Sequence, residues 1–113
     1  MKRLLFFLVA AGIVLGMALS SFGADGAKPL IIDVRTEAEW NEGHLEGAIL
    51  IPHIVIGEKI RTVSENKLVR IYVYCGTGKR SQIAKETLEK LGYKDVVNLG
   101  TLEDAAKTMK QKM

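Results

Sequence analysis

Short apolar runs alternate along the chain with segments whose apolar residues recur at helical spacing. The runs have the length and β-branched content of strands; they are Leu30–Val34, Ala48–Ile51, Val69–Tyr74 and Val96–Leu99. The other segments predict four helices: one with Trp40 on its inner side, one containing Ile56, Ile60 and Val63, one from about Ser81 to Leu91, and one beginning after Thr101. Strands that alternate with helices imply right-handed crossovers, so the sequence predicts an α/β fold with a small parallel sheet flanked by helices on both faces.

Capping residues mark the ends of several predicted helices. Thr36, with Glu39 three residues later, forms a capping-box signature, and Gly43 ends the same helix. Gly92 suits a left-handed C-cap of the third helix, and Thr101 suits the N-cap of the last. These signals support the helix boundaries independently of the apolar pattern.

Residues 1–23 predict a secretory signal peptide. Lys2 and Arg3 form a positive start, the apolar run from Leu4 to Leu19 follows, and small residues precede the expected cleavage after Gly23. An uncleaved membrane anchor is the alternative, but this run is shorter than the roughly 20 residues that span a bilayer. We therefore expect one mature domain, residues 24–113, that is exported and has no stable membrane association after cleavage.

The charge balance excludes an obvious nucleic-acid partner. The chain carries 16 basic and 13 acidic residues, and Lys2 and Arg3 belong to the predicted signal peptide. The mature domain therefore has 14 basic residues against 13 acidic ones, and its basic residues are scattered. We expect no nucleic-acid binding, and a domain of this size can act as a monomer.

The candidate reactive group is the thiol of Cys75, the only cysteine of the chain. It lies between a predicted strand and a predicted helix, in the segment Cys75-Gly76-Thr77-Gly78-Lys79-Arg80-Ser81. The positive end of the helix and the cations Lys79 and Arg80 favour the thiolate over the neutral thiol. Inward-facing loop amides would form an anion-binding nest, for which Gly76 and Gly78 permit positive φ angles and close approach. The alternative, a buried cysteine that serves as a small apolar residue, fits a glycine-rich basic loop poorly.

These motifs, taken together, resemble the single-domain rhodanese family. The resemblance rests on the order and spacing of Ile32-Asp33-Val34-Arg35, Trp40, Gly43-His44-Leu45-Glu46-Gly47-Ala48, Ile51-Pro52 and the cysteine loop. With its predicted export signal, the chain is most similar to the periplasmic thiosulfate sulfurtransferases of that family. The resemblance implies a persulfide mechanism without a cofactor. In it, Cys75 takes sulfane sulfur from thiosulfate or a similar anionic donor and passes it to cyanide or a thiol.

Roles for the neighbours of Cys75 follow from the motif and the resemblance. The residues expected to bind the donor are those of the loop: Gly76, Thr77, Gly78, Lys79 and Arg80. A solvated loop charge is the alternative for Lys79, and a loop clamp through a carboxylate is the alternative for Arg80. Asp33 and Arg35 are expected to form a supporting ion pair beneath the loop.

Rival functions remain at this point. Four residues separate Cys75 from Arg80, one fewer than in the similar loop of dual-specificity phosphatases, which favours a sulfur-centred substrate over phosphate. A non-catalytic sulfur carrier or persulfide-binding module is the alternative function. A thiol redox protein is disfavoured because the chain has no resolving cysteine. His44 lies in a turn that looks structural in the family, and with His53 and Cys75 it lacks the spacing of metal ligands.

Overall fold

A parallel sheet of four strands organises the domain. The computed structural model describes residues 27–111, and its strands have the order β2-β1-β3-β4. The strands are β1 (Leu30–Asp33), β2 (Ile49–Leu50), β3 (Arg70–Cys75) and β4 (Asp95–Thr101). The helices of this part of the chain are α1 (Glu37–Glu42), α2 (Ile56–Val63), α3 (Lys79–Lys90) and α4 (Leu102–Thr108). Every strand pair is parallel, which confirms the predicted α/β fold. The predicted signal peptide lies outside the described residues.

Each face of the sheet carries its own hydrophobic core. The core under α2 and α3 contains Ile56, Ile60, Ala84 and Leu88 together with Cys75. The core under α4 contains Leu45, Tyr74, Ala105 and Ala106. Because successive residues of a strand point to opposite faces, the adjacent side chains of Tyr74 and Cys75 enter different cores. No helix within residues 27–111 is long and apolar enough to cross a membrane.

Side-chain caps fix the starts of α1 and α4. Thr36 and Glu39 form the predicted capping box, in which the Glu39 N–H donates to Thr36 Oγ1 at 3.3 Å. Thr101 and Asp104 form a second box at the start of α4. Gly92 follows α3 with φ of +101°, which a residue with a side chain rarely adopts. The helix ends predicted from these residues are confirmed.

Two predicted boundaries are wrong. The expected buried strand Ala48–Ile51 is reduced to the two residues of β2, which lies at the edge of the sheet, and Ile49 is 36% exposed there. Apolar composition alone does not distinguish an edge strand from a central one. The helix expected from Ser81 begins two residues earlier, so Lys79 and Arg80 belong to the first turn of α3 rather than to the loop.

The helical spacing of Ile83, Ala84, Thr87, Leu88 and Leu91 predicts that these residues share the inner face of the helix, but the buried face of α3 is different. Its buried residues are Ser81, Ala84 and Leu88. Ile83 and Leu91, which share the helical spacing, are 50% and 42% exposed. A polar residue therefore occupies the first position of the buried stripe, directly after the cysteine loop.

Candidate active site

The cysteine loop, residues 75–78, connects the carboxyl end of β3 to the start of α3. Gly78 has φ of +92°, so the turn into the helix requires a residue without a Cβ. The sequence predicts a positive φ at Gly76 as well, but Gly76 is absent from the positive-φ residues of the described chain. A Cβ at Gly76 would instead lie 3.3 Å from Nη2 of Arg80, so this glycine permits close approach of that side chain.

Hydrogen bonds converge on the sulfur of Cys75. The Gly78 N–H donates to Sγ at 2.9 Å, and Ser81 Oγ lies 3.4 Å from Sγ. Burial raises the pKa of the Cys75 thiol. The hydroxyl of Ser81 and the backbone amides of Ser81, Thr77 and Gly78 lower the pKa by more, so it falls below its ordinary value. The Gly78 amide is therefore placed as one donor of the anion-binding nest that the sequence predicts.

The sulfur lies beneath the loop and is shielded from solvent. Cys75 has 0% exposure and packs within the core under α2 and α3. This corrects the expectation that a glycine-rich basic loop is an unfavourable place for a buried cysteine. The side chain points from β3 toward α3, while Gly76 and Thr77 above it are exposed. What separates Cys75 from an inert core cysteine is its set of hydrogen-bond donors.

Ser81 and Asn98, to which the sequence motifs assign no role, complete the surroundings of the sulfur. Ser81 Oγ lies 2.7 Å from Oδ1 of Asn98 and 3.1 Å from the carbonyl oxygen of Gly78. Asn98 belongs to β4, where the pairing with β3 shifts by one residue between Val73 and Tyr74. Two features of the sequence could have indicated this pair: the polar Ser81 on the buried face of α3 and the amide of Asn98 within an apolar strand. Their contact depends on the strand register, which the sequence pattern does not give.

Arg80 clamps the loop to α1. Its Nη1 and Nη2 donate to the two carboxylate oxygens of Glu39, each at 2.9 Å. The hydrogen bonds from Arg80 are the largest cause that lowers the Glu39 pKa to about 2, followed by those from Thr36. The same ion pair is the main cause that raises the pKa of Arg80, and a smaller contribution comes from Cys75. The geometry matches the clamp considered for Arg80 and leaves its guanidinium engaged by a carboxylate.

Lys79 is placed differently from Arg80. Its side chain is exposed and forms none of the ion pairs found within residues 27–111. Its backbone N–H approaches Thr77 Oγ1 at 3.4 Å. Lys79 thus offers an uncommitted positive charge beside the exposed part of the loop.

Asp33 and Arg35 form a buried ion pair, but on the other face of the sheet. Nη2 of Arg35 donates to Asp33 Oδ2 and to the carbonyl oxygen of Gly43, both at 2.7 Å. The guanidinium also lies 5.7 Å from the ring centre of Tyr74. The hydrogen bonds to Asp33 raise the pKa of Arg35 despite its burial. The pair therefore holds the segment after α1 against the sheet, rather than lying directly beneath the cysteine loop.

His44 and Trp40 lie away from the sulfur. Their rings stack at 3.4 Å, and Nδ1 of His44 is 2.9 Å from the Trp40 carbonyl oxygen. Trp40 is half-buried, whereas the sequence predicts it on the inner side of α1, which has no fully buried residue. His44 helps line an open groove of about 430 Å³ with Glu46, Lys110 and Gln111, none of which belongs to the loop. Within residues 27–111, no cluster of three or more His, Cys, Asp or Glu side chains is arranged to hold a metal ion.

Fold and loop together define an α/β protein whose single cysteine lies at the carboxyl end of a central strand and accepts a hydrogen bond from a loop amide. The rhodanese-like domain family matches residues 20–101, and the chain belongs to this family. The family uses a sulfur donor and a sulfur acceptor as substrates, and the resemblance drawn from the motifs is confirmed.

Individual relatives refine this assignment. The chain is 41% identical to the thiosulfate sulfurtransferase PspE of Escherichia coli (strain K12) over 75 residues, which cover 66% of this chain and 72% of PspE. It is 35% identical over 69 residues to YrkF of Bacillus subtilis (strain 168), a proposed sulfur carrier protein. That match covers 61% of this chain but only 36% of YrkF. The fold matches a solved rhodanese with anions from E. coli with a TM-score of 0.66 and 39% identity, covering 68% of this chain and 91% of that one.

Proposed function

We propose that the protein is an exported thiosulfate sulfurtransferase that works through a persulfide on Cys75. The observation that carries the proposal is the short hydrogen bond of 2.9 Å from the Gly78 N–H to Sγ, within a loop that lowers the thiol pKa. An amide in this position stabilises a negative sulfur and does nothing for an inert apolar one. The similarity to PspE supports thiosulfate as the donor.

The reaction proceeds in two balanced steps. The Cys75 thiolate attacks the outer sulfur of thiosulfate, an S–S bond forms to Sγ, and the bond to the inner sulfur breaks so that sulfite leaves with its electron pair. The acceptor, cyanide or a thiolate, then attacks the terminal sulfur of the persulfide. Thiocyanate or a new persulfide leaves, and the Cys75 thiolate is restored. The loop amides stabilise the negative charge before and after each step.

The donor reaches the sulfur from the side of the exposed loop residues. Cys75 has 0% exposure, so Gly76 and Thr77 must be displaced before the outer sulfur of thiosulfate touches Sγ. Lys79 stands beside these residues with its charge uncommitted and attracts the dianion. The clamp from Arg80 to Glu39 keeps the first turn of α3 in place during this movement.

Mass spectrometry of the purified mature protein after thiosulfate treatment tests the proposal. The expected result is a mass gain of one sulfur atom that is removed by cyanide. Cys75→Ser is the matched control because it keeps the size of the side chain and removes the nucleophile. Absence of the gain in the wild-type protein, or its persistence in Cys75→Ser, contradicts the mechanism.

A non-catalytic sulfur carrier is the second candidate, supported by the similarity to YrkF. A carrier takes up one sulfur and then stops, whereas a sulfurtransferase releases thiocyanate repeatedly. Steady-state thiocyanate formation from thiosulfate and cyanide therefore separates the two. Export has its own test: N-terminal sequencing of protein recovered from the periplasm should begin after Gly23.

A further inference from the structure

The amide of Asn98 has all of its hydrogen-bonding positions occupied. Its Oδ1 faces the Gly100 N–H at 2.9 Å and Ser81 Oγ at 2.7 Å. Its Nδ2 donates to the Gly78 carbonyl oxygen at 3.3 Å and to Gln82 Oε1 at 3.2 Å. The orientation of the amide follows from Gly100, because a backbone N–H only donates and must face the oxygen.

This orientation decides the direction of the Ser81 hydroxyl. The amide oxygen of Asn98 at 2.7 Å and the carbonyl oxygen of Gly78 at 3.1 Å can only accept, so Ser81 donates its single hydroxyl hydrogen on this side, chiefly to the nearer Asn98. The lone pairs of Ser81 Oγ then face Cys75 Sγ at 3.4 Å. In this orientation the hydroxyl suits a neutral thiol, whose S–H donates to Oγ, and it lowers the thiol pKa only when it turns and donates to Sγ. Ser81 has 0% exposure, so no water can supply a replacement partner from bulk solvent.

We propose that Asn98 is a positioning residue that provides the nearest acceptor for the Ser81 hydroxyl, closer than the Gly78 carbonyl oxygen, so that the hydroxyl turns between Asn98 Oδ1 and Cys75 Sγ as the sulfur changes charge. When the thiol loses its proton to solvent, the hydroxyl turns and donates to the thiolate. When Sγ becomes the neutral inner sulfur of a persulfide, the hydroxyl returns to Asn98. The buried hydroxyl therefore has an acceptor in every state of the sulfur.

The inference rests on the proposed function in taking the sulfur through thiolate and persulfide states. One consequence can be tested without sulfur transfer, because Asn98 Oδ1 and the Cys75 thiolate compete for the hydroxyl hydrogen of Ser81. Removing Asn98 as an acceptor should make the thiolate easier to form, but only while Ser81 is present. The charged groups around the loop include Arg80, which interacts electrostatically with Cys75, its partner Glu39 and the exposed Lys79, and the test leaves all three unchanged.

The test is a double-mutant cycle read by the pH dependence of iodoacetamide alkylation, for which Cys75 is the only thiol in the chain. Asn98→Leu should lower the thiol pKa by about half a unit, the equivalent of a fraction of one hydrogen bond. In the Ser81→Ala background the same substitution should leave the pKa unchanged. Gln82→Ala, which removes only an outer partner of the Asn98 amide, is the matched control and should behave as the wild type.

A shift of equal size in both backgrounds, or no shift in Asn98→Leu, overturns the proposal, since Asn98 would then act only through the backbone. Asn98→Asp extends the test to the case in which the leucine variant does not fold. Its stronger acceptor should raise the pKa more with Ser81 present than in the Ser81→Ala background, and equal rises overturn the proposal as well. A protein that shows the coupling but forms no thiocyanate refutes the proposed function and leaves this role of Asn98 standing.

Discussion

Removing the guanidinium of Arg35 should destabilise the fold strongly. Asp33 has 0% exposure, and four contacts of 3.1 Å or less join it to Arg35. In Arg35→Met one of these, from the backbone N–H, remains, and the carboxylate stays buried without its counter-charge. Breaking a buried pair in this way costs about 3–5 kcal/mol. For a domain of this size the melting temperature should fall by about 15–30 °C.

Urea unfolding measures this loss, with the fluorescence of Trp40, the single tryptophan, as the probe. The double variant Asp33→Asn/Arg35→Met removes the unpaired charge and should recover about 2 kcal/mol relative to Arg35→Met. Because the pair and Cys75 lie on opposite faces of the sheet, the thiol pKa of the folded variants should not move. A loss below about 1 kcal/mol in Arg35→Met would refute the structural role assigned to the pair, since such a value is typical of an exposed pair.

Three further predictions concern the cysteine loop. Lys79→Ala should weaken the use of thiosulfate more than that of a neutral persulfide donor, measured as kcat/KM for each. Glu39→Gln should lower the free energy of unfolding by about 1 kcal/mol at pH 7, because the partly exposed pair with Arg80 is screened by solvent. This difference should disappear as the pH falls from about 5 toward 2, since the folded-state pKa of Glu39, about 2, lies below the ordinary 4.5. Gly78→Ala should cost about 1–2 kcal/mol, because it places a side chain at φ of +92°, and should raise the thiol pKa by moving the donating amide.

Matched controls separate these effects from general damage. Lys94→Ala removes an exposed charge at the opposite end of the sheet, directly before β4, and should affect both donors equally little. Equal losses with both donors in Lys79→Ala would contradict its electrostatic role. Gly47→Ala imposes the same kind of strain, at φ of +83°, far from the sulfur, and should leave the thiol pKa unchanged. If Glu39→Gln still lowers the free energy of unfolding at pH 2, the ion pair between Glu39 and Arg80 is not the source of the lost stability.

The local pattern of the sequence was sufficient for most of the fold. Helix caps such as Thr36 with Glu39 act over three residues, and β-branched runs identify strands wherever both faces are buried. The pattern failed where the length of a strand depends on which strands lie beside it. The run at Ala48–Ile51 has strand composition, but only two residues pair because one side of β2 has no neighbouring strand.

The site was less predictable because its partners are distant in sequence. Glu39 lies 41 residues from Arg80, and Asn98 lies 17 residues from Ser81. No motif relates these positions; the crossover of α1 and the register shift in β4 bring them together. The burial of Cys75 escaped prediction for the same reason, since the loop composition says nothing about the residues packed beneath it.

Full enclosure of the Cys75 sulfur makes its reactivity depend on movement of the loop around it. A compact anion requires a smaller displacement of the loop than a bulky disulfide or the thiol of a folded protein does. A thiol sheltered in this way exchanges with disulfides more slowly than an exposed one.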